Sequence, residues 1–172
     1  MVHLLLLSII SSWGISEVWI LKNSQISYQV SHLFKTVEGV STNEAKAKIQ
    51  CHEKCEFLVG VPIKSFNSKN ENRDLHMQDS MKAALHPITI IKGSINSVKD
   101  QKNNINVEVE LAGIKKEYPA NIQITQKGTK EIEVQGDLNI MLTDFSIERP
   151  SLLTSPINDK VELKFKLGFN LN

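Results

Sequence analysis

The sequence predicts a mainly β domain, about eight antiparallel strands with one helix, and three observations carry that expectation. Apolar and polar residues alternate with period two over most of the chain after residue 24. Stretches rich in Gly, Asn, Asp and Ser separate the alternating runs, as hairpin connections require. A single segment changes to helical spacing. At 172 residues, with no internal repeat or low-complexity tract, the chain is one domain.

Taken in order, Ile26, Tyr28 and Val30 alternate with Gln25, Ser27 and Gln29, giving a strand with one wet face. "EGVSTN" reads as a turn, and Ala45, Ala47 and Ile49 alternate with lysines in a second strand. Phe57, Val59, Val61 and Ile63 form a third, more buried run. Next, "NENRDLHMQDSMKAALHP" places Met77, Met81, Ala84 and Leu85 at helical spacing, with Asn70 or Asn72 as N-cap and Pro87 beyond the end. This predicts one helix over about 73–85, between the third and fourth strands. Ile88 to Ile91 begins the fourth strand, and "KDQKNN" and "QKGTK" read as turns among the later ones. Runs at 105–111, 120–124, 132–142 and 161–169 complete the eight, the last two separated by the irregular "SIERPSLLTSPINDK". Such strands either close into an up-and-down barrel or split into a sandwich, and closure alone removes exposed edges.

The opening "MVHLLLLSIISSWGIS" has no Lys, Arg, Asp or Glu, an apolar run from Leu4 to Ile10, and small residues at Gly14 and Ser16. It resembles a secretory leader over residues 1–16, which leaves 17–172 as the mature domain and predicts a periplasmic or secreted location. The run falls short of the ~20 residues a bilayer span needs, so no transmembrane segment is expected in the mature chain. Lys plus Arg total 20 against 19 Asp plus Glu, which gives no bulk attraction for nucleic acid or an anionic membrane. Cys51 and Cys55, the only cysteines, read most simply as a small disulfide after export, with free thiols as the alternative. Their C-x-x-x-C spacing fits neither a redox pair nor a zinc ribbon that would use His52.

"NRDLHM" is the one cluster that invites a chemical reading. A helical zinc pair needs His at i and i+4, yet Ser80 follows His76 at that distance. Arg73 and Asp74 point about 100° apart on a helix and form no local pair. Asp74 in the first turn is favoured by the exposed amides by roughly 0.3 to 1 kcal/mol, and Arg73 is free to bond loop carbonyls or a carboxylate elsewhere. A lone His32 at the end of the first strand reads as a structural, hydrogen-bonded residue. No G-x-S-x-G, phosphate loop, dinucleotide fingerprint or metal set occurs, and no catalytic residue is assigned. Convergence of His32, Asp74 and His76 within hydrogen-bond reach in a pocket would favour an enzyme.

"QISYQVSHL" followed by "EGV", then "PIKSFNSKNENRDLHM" and "HPITI", resembles the YceI-like family of polyisoprenoid-binding, lipocalin-like secreted proteins of bacteria. Ser65, Phe66, Ser68, Asn70, Arg73, Asp74, His76 and Met77 match its central motif in one register, and "DFSIERPSLL" looks like its Arg-Pro segment. The resemblance implies an eight-stranded lipocalin-like barrel in which Arg73, Asp74 and His76 mark a strand-to-helix corner. Two stretches depart from the family pattern, "KKEYP" and "CHEKC", and both are expected in loops.

An eight-stranded barrel is wide enough either to be packed by its own side chains or to hold one small ligand. Medium aliphatics with adaptable thioethers suit a linear hydrocarbon. The resemblance implies an isoprenoid, either polyprenyl or isoprenoid quinone, as a bound apolar partner, with no other cofactor. Candidate wall residues are Ile26, Tyr28, Val30, Phe57, Val59, Val61, Ile88 and Ile90, with Phe66, Met77 and Met81 near a lid helix. The alternative is a filled barrel that acts as a structural or interaction module of the cell envelope. The oligomeric state is open, a homodimer included.

Overall fold

The computed structural model describes residues 16–33, 35–152 and 155–172. The expected leader, apart from Ser16, lies outside the described residues. The chain runs through β1 (Glu17–His32), β2 (Lys35–Thr42), β3 (Lys46–Cys51), β4 (Cys55–Pro62), α1 (Glu71–Ser80), β5 (Ile88–Ile95) and β6 (Gln101–Leu111). It continues through β7 (Ile114–Gln126), β8 (Glu131–Met141), the short pair β9 (Ser151–Leu152) and β10 (Ser155–Pro156), and β11 (Lys160–Leu171). Short 3-10 turns follow β4 at Ile63–Ser65 and β8 at Leu142–Phe145.

Eight strands close the barrel in the order β1, β3, β4, β5, β6, β7, β8, β11 and back to β1, each pair antiparallel. β2 is a ninth strand. It pairs with β1 from Gln25–Thr42 to His32–Lys35, while β3 takes the same edge of β1 at Glu17 to Ile20. β2 and β3 thus lie end to end along one neighbour. The joint is Asn43, at φ 58°, whose side chain accepts from the Ser24 amide while its own N–H donates to the Ser24 carbonyl. Asparagine tolerates this left-handed conformation better than most residues.

Several expectations change, "KDQKNN" among them, since β6 begins at Gln101 and only the first two residues of that stretch turn. "EGVSTN" is mostly strand: Glu38 to Thr42 belong to β2, and only the residues after them turn. With β2 counted, the helix falls between β4 and β5 rather than between the third and fourth strands. It also starts two residues earlier than expected and ends at Ser80, because Lys82 adopts φ 54° and the chain turns toward Pro87. Leu85 is consequently 78% exposed and shares no buried face with the methionines. "KKEYP" lies inside β7 instead of a loop, whereas "CHEKC" is the tip of the β3–β4 hairpin, closed by a disulfide between Cys51 and Cys55.

Period-two burial gives a continuous inner face, and it divides into two clusters along the barrel axis. One surrounds Trp19, Ile49, Ile124 and Phe169 toward the disulfide end. The other surrounds Val109, Ile140, Leu142 and Phe145 toward the helix end. Each fully buried Ile, Leu or Phe contributes roughly 1.5 to 3 kcal/mol relative to exposure, so these faces hold the barrel shut.

Candidate functional site

The strand-to-helix corner is built on Ser68, which is 6% exposed. The Asp74 carboxylate accepts from its amide at 3.1 Å and from its hydroxyl. Arg73 Nε donates to Ser68 Oγ at 2.8 Å, and Nη2 to the Ser68 carbonyl at 2.6 Å. Arg73 and Asp74 therefore meet on a common third residue, as their divergence on a helix requires. Asn70 caps α1 by accepting from the Arg73 amide at 2.9 Å. Upstream, Asn67 exchanges both backbone hydrogen bonds with Val40, which ties the segment before the helix to the free edge of β2. The cluster clamps the first turn of α1 to the segment that leaves β4, which Asn67 in turn ties to β2.

Tyr28 sits behind this corner, edge-on to Phe66 with ring centroids 5.5 Å apart. Its ring occupies the space a side chain at the opposing Gly39 would fill. Burial pushes the phenol pKa up and the Asp74 charge adds to this, while Arg73 and Ser68 pull it down. His32, Asp74 and His76, whose convergence would favour an acid-base site, have separate surroundings. His32 Nε2 lies 3.0 Å from the Ser155 carbonyl, Asp74 engages Ser68, and His76 is exposed on the helix. No group of three or more His, Cys, Asp or Glu among the described residues could hold a metal ion.

The barrel interior holds a cavity of about 70 Å³ lined wholly by apolar residues. Of the sequence-derived candidates, Ile26, Phe57 and Val59 line it. Val30 and Val61 are buried in the core away from it. Tyr28, Met77 and Met81 pack against the cluster at the helix end, and Phe66 against the other cluster, with none of the four on the cavity wall. Ile88 and Ile90 face outward: β5 pairs Thr89 with Val61 and Ile91 with Val59, so the inward parity belongs to Thr89 and Ile91, and Ile88 is 48% exposed.

The wall residues that sequence reasoning missed include Ile91, Ile122, Val134, Leu163, Phe165 and Phe169. Their signal was the alternation itself, extended around the whole ring. Phe57 and Phe165 lie against glycines of adjacent strands: the place for a Cβ on Gly93 is 2.7 Å from Phe57 Cζ, and that on Gly136 is 2.7 Å from Phe165 Cζ.

At the helix end, Tyr118 donates to Asp144 Oδ2 at 2.6 Å and accepts from the Met141 amide at 3.3 Å. Burial first, then the bond to Asp144, pushes its pKa from 10.0 up to about 12. Below pH 10 the folded and unfolded phenols are both protonated; between 10 and about 12 the unfolded chain holds fewer protons, so stability falls as pH rises through that window. A Tyr28→Phe protein, with Tyr118 as its remaining tyrosine, is expected to develop phenolate absorbance near 295 nm only toward pH 12. A midpoint near 10 would contradict the hydrogen bond from Tyr118 to Asp144.

A family profile described as the YceI-like domain matches residues 19–169. The chain belongs to the YceI-like family. Among solved structures, this YceI-like chain is similar to Burkholderia cenocepacia BcnA, at 18% identity and TM-score 0.72, over 84% of this chain and 95% of that one. It is also similar to a polyisoprenoid binding domain from Saccharophagus degradans implicated in plant cell wall breakdown, at 16% identity and TM-score 0.71, over 90% of this chain and 98% of that one. A Campylobacter jejuni YceI protein matches at 22% identity and TM-score 0.58, over 73% of this chain and 80% of that one. No curated protein matches the chain. Among the described residues, no helix of this YceI-like domain is long and apolar enough to cross a membrane.

Proposed function

We propose that this YceI-like chain is a periplasmic or secreted binding protein that holds one amphiphile with a long apolar tail, of the isoprenoid class, in its barrel. The observation that carries the reading is the interior cavity lined wholly by aliphatic and phenyl side chains. Such a wall offers nothing to a polar solute, and each Å² of tail buried against it contributes roughly 25 cal/mol. The polyisoprenoid binding domain of Saccharophagus degradans, of the same fold, supports the ligand class. A leader-like opening and the Cys51–Cys55 disulfide support an oxidising compartment.

A second reading rests on the cavity's size. About 70 Å³ is well below the several hundred that a bound tail occupies, which favours a filled barrel acting as a structural or interaction module of the envelope. One experiment separates the two. Purified mature protein is extracted with solvent for mass spectrometry, and the extracted protein is titrated with an isoprenoid quinone while the fluorescence of buried Trp19 is followed. Co-purifying isoprenoid or saturable quenching is expected; a lipid-free extract with no quenching would leave only the filled barrel standing.

A further inference from the structure

Two seams of the wall have only four residue pairs, β1–β3 and β5–β6, and the first is continued along the same edge of β1 by β2. The strands of the second, β5 and β6, pair from Ile90–Glu110 to Gly93–Val107, although β6 goes on to pair with β7 as far as Gln101. Beyond Gly93 the strands part. Their connection turns back toward the core, burying Val98 in the cluster at the disulfide end. Continued register would have set Ser94 against Asn106; both instead line an outer groove of about 580 Å³. Gly93 and Phe57 line the groove too, and Phe57 also lines the apolar cavity. Because Phe57 Cζ fills the place of a Cβ on Gly93, backbone and one phenyl ring separate the outer groove from the interior here.

We infer that this parting is a lateral portal: the apolar tail passes between β5 and β6 beside Phe57, and the polar head of the ligand stays in the outer groove. The inference rests on the binding function proposed above and names the route and the head. A barrel with so little free space must yield somewhere to admit a tail, and a seam of four residue pairs yields before one of eleven such as β6–β7. The groove also selects the head. Its two lysines, Lys48 and Lys92, face three glutamates, Glu56, Glu108 and Glu117, and Lys92 is engaged by Glu108 at 3.0 Å. With Lys115 also on Glu108 at 3.6 Å, an anionic head such as a diphosphate meets no net positive charge there, whereas a hydroxyl or carbonyl can bond the Ser94 hydroxyl and the Asn106 amide. The ligand class is an uncharged amphiphile.

The test staples the seam. In a Ser94→Cys, Asn106→Cys protein the two thiols are joined by oxidation or, where they do not meet, by a short bismaleimide, and peptide mapping verifies the link. Uptake of N-phenyl-1-naphthylamine is followed by stopped-flow fluorescence, and equilibrium occupancy by its displacement with geranylgeraniol or geranylgeranyl diphosphate. Stapling is expected to slow uptake at least about tenfold relative to the unlinked double variant, while Phe57→Ala speeds it. The alcohol is expected to displace the probe at a concentration at least about tenfold below the diphosphate. Uptake at an unchanged rate after stapling overturns the portal and leaves the binding function intact. Equal or tighter binding of the diphosphate overturns the head assignment. Failure of the parent protein to bind probe, alcohol or diphosphate overturns the binding function and the portal together.

Discussion

Replacing Gly136 with alanine is expected to destabilise the barrel by about 3 kcal/mol or more, at the upper end of what overpacking a filled interior costs. The added methyl would collide with the Asn121 carbonyl of β7 and lie 2.7 Å from Phe165 Cζ. The first of these is backbone of a paired strand, since Ile122 and Phe165 are the register partners of Gly136 on its two sides. Relief requires β7 and β8 to separate, because moving the phenyl ring into the cavity of about 70 Å³ leaves the collision with the carbonyl. Without such a collision the change would stabilise by about 0.4 to 1 kcal/mol through the unfolded chain, so the sign of the effect is diagnostic. Gly128, which has nothing within 4 Å of its Cβ position, is the matched control. Urea denaturation should show Gly128→Ala slightly above the parental midpoint and Gly136→Ala far below it; a Gly136→Ala midpoint at or above the parental one would mean that the close approach is absent.

The second large effect belongs to Asp74→Ala. The substitution removes the acceptor for the buried Ser68 amide and hydroxyl and leaves Arg73 alone on that residue. Hydrogen bonds to charged groups are worth about 1.5 to 3 kcal/mol and an orphaned buried donor costs about 1 to 3, so a total loss of about 3 kcal/mol is expected. For a domain of this size that lowers Tm by roughly 10 °C. Asp74→Asn, which keeps one acceptor oxygen, should fall between alanine and the parent. Glu71→Ala, at an exposed position of the same first turn, serves as control. Equal melting of Asp74→Ala and Glu71→Ala would refute the clamp.

Period two made most of the fold legible, because alternation reports which side of a strand is wet. It failed where alternation was absent or misleading. In the run from Ile88 to Ile91 the polar Thr89 suggests that Ile88 and Ile90 face inward, and only pairing with Val59 and Val61 decides that Thr89 and Ile91 do. Gly39 made β2 look like a turn, yet its missing side chain is the space that the Tyr28 ring fills. A glycine under a cross-strand aromatic and a glycine in a turn are written identically in sequence. Within the corner, Arg73 and Asp74 were readable as fixing a loop, but Ser68 as their common partner was not, since the contact depends on a chain reversal no local pattern encodes. The cavity was equally invisible, because side-chain type fixes the chemistry of a wall but not the volume it leaves open.

The first and last strands of the barrel are neighbours: β1 pairs with β11 from Trp19–Leu171 to Val30–Val161. On a ribosome this means that the ring cannot close until β11 has been synthesised. Every other ring contact forms between strands much closer in sequence, so the nascent chain grows as an open, curling ribbon with two unpaired borders. An exposed border invites pairing with another chain, and closing so long a loop is entropically slow. Folding is therefore bound to the arrival of β11, and chains that stop short of it carry an unfinished sheet whatever the stability of the finished one.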